Sequence, residues 1–237
     1  MGAKLQLAPG EVHLWQIHQI GPDDKILRGR RLLSPDEIQR ADRFHFDEHR
    51  HRFILAHAAM RTILSSYLNV APLDVAYSYG PKGKPALSAD LERSGIRFNL
   101  SHSGDYALLG VTHNLCLGVD IEFINHEFGT EEIATRFFSP GEIQTLHAVP
   151  RADKSTAFFS CWTRKEAYIK AVGDGLSIPL DSFDVAFGPN TQPALLRVQV
   201  PEHQYWKMYD LPGPEGYKAA MVIEGENHRL KYSVFGG

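Results

Sequence analysis

Two carboxylates stand at alternating positions in the segment LGVDIEF, residues 117–123. Apolar side chains alternate there with Asp120 and Glu122, and this period of two predicts a strand with one buried face. Both carboxylates then share a face, with Cα atoms roughly 6.5–7 Å apart, so their oxygens can converge on one hard cation. A solvated strand face is the alternative for this pair taken alone, because acidic alternation is common there.

A third acidic residue lies on the apolar stripe of a later predicted helix. Glu166 shares helical spacing with the apolar positions of residues 159–173. An unpaired carboxylate on an inward stripe would destabilise the fold, so it needs a cation or a donor. One Mg²⁺ bound by Asp120, Glu122 and Glu166 meets that need. Lys170, four residues after Glu166, either forms a helical ion pair or faces a phosphate beside the metal.

An internal match shows how these elements are organised. RLLSPDEI at residues 31–38 resembles RFFSPGEI at 136–143, an offset of 105 residues. Each copy contains Ser-Pro-x-Glu, in which Ser is the N-cap, Pro stands at N1 and Glu at N3 closes a capping box. Both segments therefore predict helix starts.

The same offset relates other parts of the chain. It lays residues 12–17 over 117–122. A recurring helix start explains only the first match, whereas a duplication explains both. We predict an α+β fold of two similar halves, residues 1–116 and 117–237, in which only the second half holds the metal ligands.

Composition limits the classes of protein that fit. The chain has 237 residues, 43% of them hydrophobic, and a net charge of -3, which argues against a generally basic nucleic-acid-binding surface. There is no signal-like or membrane-spanning apolar run, so a cytoplasmic location is expected. Cys116 and Cys161 lie in apolar stretches and predict buried, reduced thiols.

Together these motifs resemble the Sfp-type 4′-phosphopantetheinyl transferase family. The segments that carry the resemblance are FNLSHSG (98–104), GVDIE (118–122), RFFSPGE (136–142) and WTRKEAYIKAVGDGL (162–176). GVDIE alone is a weak signal, but W-x-x-K-E-x-x-x-K downstream of it is specific. The resemblance spans most of the chain, and the last thirty or so residues are the least diagnostic. It implies the 4′-phosphopantetheinyl transferase fold, two halves related by a pseudo-twofold axis with the active site between them.

The resemblance also implies a reaction and its partners. The 4′-phosphopantetheine group of coenzyme A would be transferred to a serine of an apo acyl or peptidyl carrier protein, releasing adenosine 3′,5′-bisphosphate. Coenzyme A would be the co-substrate, with Mg²⁺ as cofactor and Mn²⁺ as a substitute. No nucleic acid or membrane partner is expected, and a fused pair of halves implies a monomer. Fatty-acid, polyketide and non-ribosomal peptide synthesis are not distinguished.

Site residues follow from the matching positions. Asp120, Glu122 and Glu166 would be the Mg²⁺ ligands. Asp120, Glu166 and Lys170 would be catalytic, with Glu166 the general base directly or through a metal-bound water. Lys165, Glu166 and Lys170 would line the pyrophosphate. The full set of coenzyme A contacts would be Arg40, Arg43, Arg52, Lys84, Ser101, His102, Asp120, Lys165, Glu166 and Lys170.

Alternatives remain for the nucleotide side. His102 also fits an ordinary strand-end histidine, and each arginine fits a solvated helix face. The sequence departs from the family pattern at Glu37, where a basic residue can occur, and at Phe53, where a small hydroxyl residue can. We transfer neither contact.

Two rival functions use some of the same residues. A metal-dependent phosphohydrolase or nuclease would use the three carboxylates with water as nucleophile. A non-catalytic protein that binds coenzyme A or a carrier would keep the basic residues without needing convergent acids.

Overall fold

The computed structural model describes residues 4–80, 83–127, 129–173, 178–189, 191–197 and 206–236. It forms two compact units, one of Met1–Asn114 with His228–Gly237 and the other of Leu115–Asn227. Helices and mainly antiparallel sheets occur in both units, so the predicted α+β class is confirmed. None of the helices in the described part of the chain has the length and apolar composition needed to span a bilayer.

The first unit is a four-stranded sheet with helices packed on it. Its elements are β1 (Glu11–His18), α1 (Asp23–Arg30), α2 (Pro35–Asp42), α3 (Asp47–Leu68), β2 (Tyr77–Tyr79), β3 (Pro85–Leu87), α4 (Ala89–Glu92), β4 (Ile96–Ser103), β5 (Tyr106–His113) and the last strand of the chain, β11 (Arg229–Phe235). The strand order is β11-β1-β5-β4. Met60 and Leu64 of α3 pack with Ile17, Phe98 and Leu109 of the sheet to form the core.

The second unit repeats this plan with a smaller sheet. Its elements are β6 (Leu117–Phe123), α5 (Thr130–Phe137), α6 (Pro140–Ala148), α7 (Lys154–Val172), β7 (Asp184–Val185), β8 (Leu195–Arg197), β9 (Trp206–Leu211) and β10 (Tyr217–Glu224). The main sheet has the order β6-β10-β9 and is antiparallel throughout. Phe158, Ala167 and Tyr168 of α7 pack with Ala220 and Val222 of β10.

The 105-residue offset reappears in the structure. Adding 105 to the first and last residue numbers of β1, α2 and α3 gives the bounds of β6, α6 and α7 to within two residues. The strand order β1-β5-β4 matches β6-β10-β9. Both predicted helix starts are confirmed, because Ser34 with Glu37 and Ser139 with Glu142 form complete capping boxes.

The end of the chain lies in a different unit from the one expected. We assigned all of residues 117–237 to the second half, but β11 pairs in parallel with β1, from Glu11 opposite Arg229 to Ile17 opposite Phe235. Hydrogen bonds to a strand more than 200 residues away hold it in the first unit.

The two cysteines also differ from each other, since Cys161 is a buried free thiol as expected whereas Cys116 is exposed.

Candidate active site

The acidic pair lies on the central part of β6. Asp120 is 1% exposed, and Glu122 is half-buried. Across the antiparallel ladder, Asp120 stands opposite Ala220 and Glu122 opposite Lys218 of β10. The predicted strand is confirmed, and because side chains alternate along it, both carboxylates lie on one face of the sheet.

Gly118 lets α7 approach that face closely. It precedes Asp120 by two residues and so shares its face. A Cβ atom at Gly118 would lie 2.2 Å from the carbonyl oxygen of Ala167 and 2.3 Å from the amide nitrogen of Ala171. The backbone of β6 therefore touches the backbone of α7 at a place where no side chain fits.

This close approach brings Lys170 onto Asp120. The Lys170 Nζ donates a hydrogen bond of 2.6 Å to Asp120 Oδ1. The Asp120 side chain is 2% exposed and the Lys170 side chain 27% exposed. Burial alone would lower the pKa of Lys170, but the charge and hydrogen bond of Asp120, then the charges of Glu166 and Glu122, raise it. One ammonium group is thus attracted by all three carboxylates.

Glu166 lies on the same side of α7 as Lys170, one helical turn earlier. Burial raises the pKa of Glu166, the negative charge of Asp120 raises it further, and Lys170 opposes the shift. The carboxylates of Glu166 and Asp120 therefore repel each other, and a second positive charge between them would reduce that repulsion.

The donor chemistry fits a hard divalent cation. Asp120, Glu122 and Glu166 offer only carboxylate oxygens, which Mg²⁺ and Mn²⁺ prefer. Over the described ranges, no group of three or more His, Cys, Asp or Glu side chains is already arranged to hold a metal ion. The Lys170 ammonium supplies the positive charge near the carboxylates in this arrangement. The side chains of Asp120, Glu122 and Glu166 would have to rotate for all three to coordinate one metal ion.

Lys165 is placed differently from the expectation that it lines a pyrophosphate. Its side chain is fully buried, and Nζ donates to the carbonyl oxygens of Leu180 at 2.7 Å and Phe183 at 2.6 Å. It also forms an ion pair of 2.7 Å with Glu142, the capping-box residue of α6. These contacts use all three hydrogen atoms of an ammonium group. Lys165 therefore links α6 and residues 180–183 to α7 through these contacts.

The proposed nucleotide contacts lie in the first unit. Arg52, on α3, forms ion pairs of 2.6 Å with Glu48 and 2.5 Å with Asp105, so its charge is already compensated. Arg40 and Arg43 are exposed at the end of α2 and just after it. The other three, Lys84, Ser101 and His102, lie just before β3 and near the end of β4; Ser101 is buried and His102 exposed.

The two departures from the family pattern are part of one structural cluster. Glu37 is 3% exposed and accepts hydrogen bonds from Arg61 Nε at 2.5 Å and His57 Nδ1 at 2.9 Å. Phe53 stacks on His57 with ring centroids 3.9 Å apart, and the guanidinium of Arg40 lies 5.3 Å from the centre of the Phe53 ring. At these positions the chain has a buried ion pair and an aromatic stack.

The sequence analysis did not predict an ion pair in the second unit between a buried arginine and an exposed aspartate. Arg164 of α7 is 3% exposed and donates to both carboxylate oxygens of Asp210 on β9, at 2.8 and 2.5 Å. The sequence does indicate that Arg164 is buried, because it falls on the helical spacing of the apolar residues Ala157, Cys161 and Tyr168. A buried basic residue on such a stripe requires an acidic or hydrogen-bonding partner.

Comparison with known proteins gives a consistent answer. The family model described as the 4′-phosphopantetheinyl transferase superfamily matches residues 116–222, and the model of the 4′-phosphopantetheinyl transferase N-terminal region matches residues 22–114. The chain is 38% identical over 228 residues to the 4′-phosphopantetheinyl transferase HetI of Nostoc sp. strain PCC 7120, covering 96% of this chain and 94% of the relative. It is 32% identical over 193 residues to Sfp of Bacillus subtilis strain 168, covering 80% of this chain and 81% of the relative.

These matches span both units and nearly the full length of the first relative. The chain therefore belongs to the 4′-phosphopantetheinyl transferase family. Among solved structures, a holo-(acyl-carrier-protein) synthase from Bacillus anthracis in complex with CoA (3′,5′-ADP) overlaps 46% of this chain and 96% of its own, with 23% identity and a TM-score of 0.39.

Proposed function

We propose that this protein transfers the 4′-phosphopantetheine arm of coenzyme A to a serine hydroxyl of an apo carrier protein. Family membership supports the reaction class. The observation that carries the assignment to this site is the position of the Lys170 ammonium, bonded to Asp120 and attracted by Glu122 and Glu166. Phosphoryl transfer depends mainly on such positioned charge, because charge is redistributed among the phosphate oxygens in the transition state.

In this proposal the three carboxylates hold Mg²⁺. Asp120 and Glu122 come from β6 and Glu166 from α7, so two rigid elements present them. A divalent ion bound there supplies charge neutralisation for the pyrophosphate oxygens. The hydrogen bond from Lys170 to Oδ1 is compatible with this role, since a carboxylate has two oxygens that accept.

The chemical step requires a base and a cation from the chain itself. The serine oxygen bonds to the β-phosphorus, and the bond from that phosphorus to the bridging oxygen breaks, so adenosine 3′,5′-bisphosphate leaves with the electron pair. Glu166 accepts the serine proton as the general base. Lys170 stays protonated and donates to the phosphate oxygens of the leaving group.

The first unit supplies the remaining contacts in this proposal. Arg40, Arg43, Lys84, Ser101 and His102 bind the adenosine 3′,5′-bisphosphate end. Arg52 contributes only if its ion pairs with Glu48 and Asp105 open. Lys165 acts through the fold rather than by contact with the pyrophosphate.

We further propose that the protein acts in the cytoplasm as a monomer, on carriers of fatty-acid, polyketide or non-ribosomal peptide synthesis. Three ligands contributed by one chain support the monomer, because no second copy is needed to complete the metal site.

Product analysis tests the reaction. Coenzyme A and Mg²⁺ are incubated with the protein, with and without an apo carrier protein, and nucleotides are separated by chromatography. The proposal expects adenosine 3′,5′-bisphosphate to appear only with the carrier, in an amount equal to the carrier modified. Its release without a carrier would instead identify a hydrolase, and coenzyme A binding without any release would identify a binding protein.

A further inference from the structure

The face of the second-unit sheet that carries Asp120 has a second carboxylate in the same row. In the ladders, Asp120 stands opposite Ala220, and Ala220 stands opposite Asp210. Residues directly opposite one another share a face, and neighbouring strands are about 4.8 Å apart, so the two aspartates flank Ala220 roughly 10 Å from each other. Helix α7 packs on this face through Ala167, a member of the same core as Ala220.

Each aspartate binds a different flank of α7. Lys170 donates to Asp120 at 2.6 Å, whereas Arg164 binds Asp210 with two hydrogen bonds of 2.8 and 2.5 Å. At about 100° per residue, Glu166 and Lys170 lie about 200° and 240° around the helix from Arg164. The helix is therefore held from both sides, and turning it about its axis to shorten one contact lengthens the other.

The Arg164 contact is the stiffer of the two. A guanidinium bound by two parallel hydrogen bonds fixes orientation as well as distance. A third bond, to the carbonyl oxygen of Ala186, attaches the same side chain to the segment after β7. The Arg164 side chain is 3% exposed and that of Asp210 is 53% exposed, so the guanidinium is buried while the carboxylate reaches the surface.

We propose that Arg164, through Asp210, is a positioning residue of the acidic site. It sets the rotation of α7 and thereby the places of Glu166 and Lys170 over Asp120. This inference rests on the proposed function, in which those three residues bind the metal and the phosphates. Arg164 itself touches neither.

Metal binding tests this without relying on turnover. Mn²⁺ affinity is measured by electron paramagnetic resonance on the full-length protein and on the variants Arg164→Met, Arg164→Lys and Asp210→Asn. We expect the dissociation constant to rise about tenfold in Arg164→Met and less in Asp210→Asn, as found when residues that orient metal ligands are removed. Arg164→Lys keeps the charge but loses the paired geometry, so it should fall between wild type and Arg164→Met.

A matched pair elsewhere in the unit is the control. Arg197 binds Asp184 through two hydrogen bonds of 2.8 and 3.1 Å and also bonds backbone carbonyls, but it lies on β8. Arg197→Met should leave Mn²⁺ affinity unchanged. If Arg164→Met does not fold, Asp210→Asn carries the test, because it changes an exposed carboxylate to an amide of the same size.

The outcomes separate the two claims. Unchanged Mn²⁺ affinity in the folded Arg164 and Asp210 variants, with only a lower melting temperature, would overturn the positioning role while leaving the proposed function intact. Absence of Mn²⁺ binding by the wild-type protein would overturn the metal site and this inference with it.

Discussion

Lys170 and Asp120 meet at 2.6 Å although 50 residues separate them in the chain. The contact joins α7 to the middle of β6, at the level where Gly118 allows the two backbones to touch. It places a cation beside a carboxylate that is almost completely buried. The function proposed for this site depends on that pair.

Replacing Lys170 should therefore remove activity. Lys170→Met leaves Asp120 buried without this ammonium and removes the proposed donor to the leaving phosphate. Loss of such a charge-stabilising donor lowers kcat by about 10²–10³-fold. Carrier modification measured by quenched-flow or discontinuous assay checks the size of the effect. Lys154→Met, at the start of the same helix in an exposed pair with Glu131, is the control and should keep wild-type rates; full activity in Lys170→Met would refute the role.

Lys165 should prove structural. Lys165→Met leaves Glu142 and two carbonyl oxygens without their buried partner, and breaking a buried ion pair in this way costs about 3–5 kcal/mol. Urea denaturation measures the loss of unfolding free energy, with the exposed Lys207→Met as a neutral control. A variant with normal stability but a much higher KM for coenzyme A would show that Lys165 contacts the substrate after all.

Gly118 should tolerate no side chain. In Gly118→Ala the new methyl group would lie within 2.3 Å of two α7 backbone atoms, so β6 and α7 must separate. Overpacking of this kind costs about 1–3 kcal/mol, and the separation lengthens the contact between Lys170 and Asp120. Thermal unfolding and transfer rate should both fall. Gly141→Ala is the comparison, since its nearest neighbour would be 3.9 Å away and helix propensity favours Ala. Equal stability of the two variants would contradict the packing argument.

Acid should weaken the first unit through Glu37. Burial alone would raise the pKa of Glu37, but hydrogen bonds from His57 and Ser34 and the charges of His57 and Arg61 lower it from 4.5 to about 2. Because the folded-state pKa lies below the unfolded value, this stabilisation is complete above pH 4.5 and is lost as pH falls from 4.5 towards 2. The shift corresponds to stability on the order of 3 kcal/mol.

Unfolding free energy measured across that pH range checks this prediction. The Glu37→Gln variant should be less stable at neutral pH and should show a flatter decline below pH 4.5. Glu92→Gln removes an exposed carboxylate that pairs with Arg97 and should behave like the wild type. Parallel curves for Glu37→Gln and wild type would disprove the assignment.

Local signals made part of this structure predictable. The helix starts at Ser34 and Ser139 follow from residues within three positions of each other. The strand that carries Asp120 and Glu122 follows from alternation over seven residues. The helix starts and this strand both depend on residues that are close together in the chain, so their residue types alone predict them.

Long-range pairings were not predictable in the same way. Nothing near β11 indicates that it pairs in parallel with β1. Lys165 stands beside Glu166 in the motif, yet it points to Glu142 and two carbonyl groups, because adjacent residues on a helix face directions about 100° apart. Arg164 and Asp210 are 46 residues apart, and only the apolar spacing around Arg164 indicated that it needed an acidic partner.

The most direct test of the central claim is the intact mass of an apo carrier protein after incubation with this protein, coenzyme A and Mg²⁺. A matched sample contains a chelator, and another contains a carrier whose acceptor serine is replaced by alanine. We expect a gain of one phosphopantetheine on the serine carrier in the presence of Mg²⁺ and no gain in either matched sample. An unchanged carrier mass with Mg²⁺ present, across carriers from fatty-acid, polyketide and non-ribosomal peptide synthesis, would contradict it.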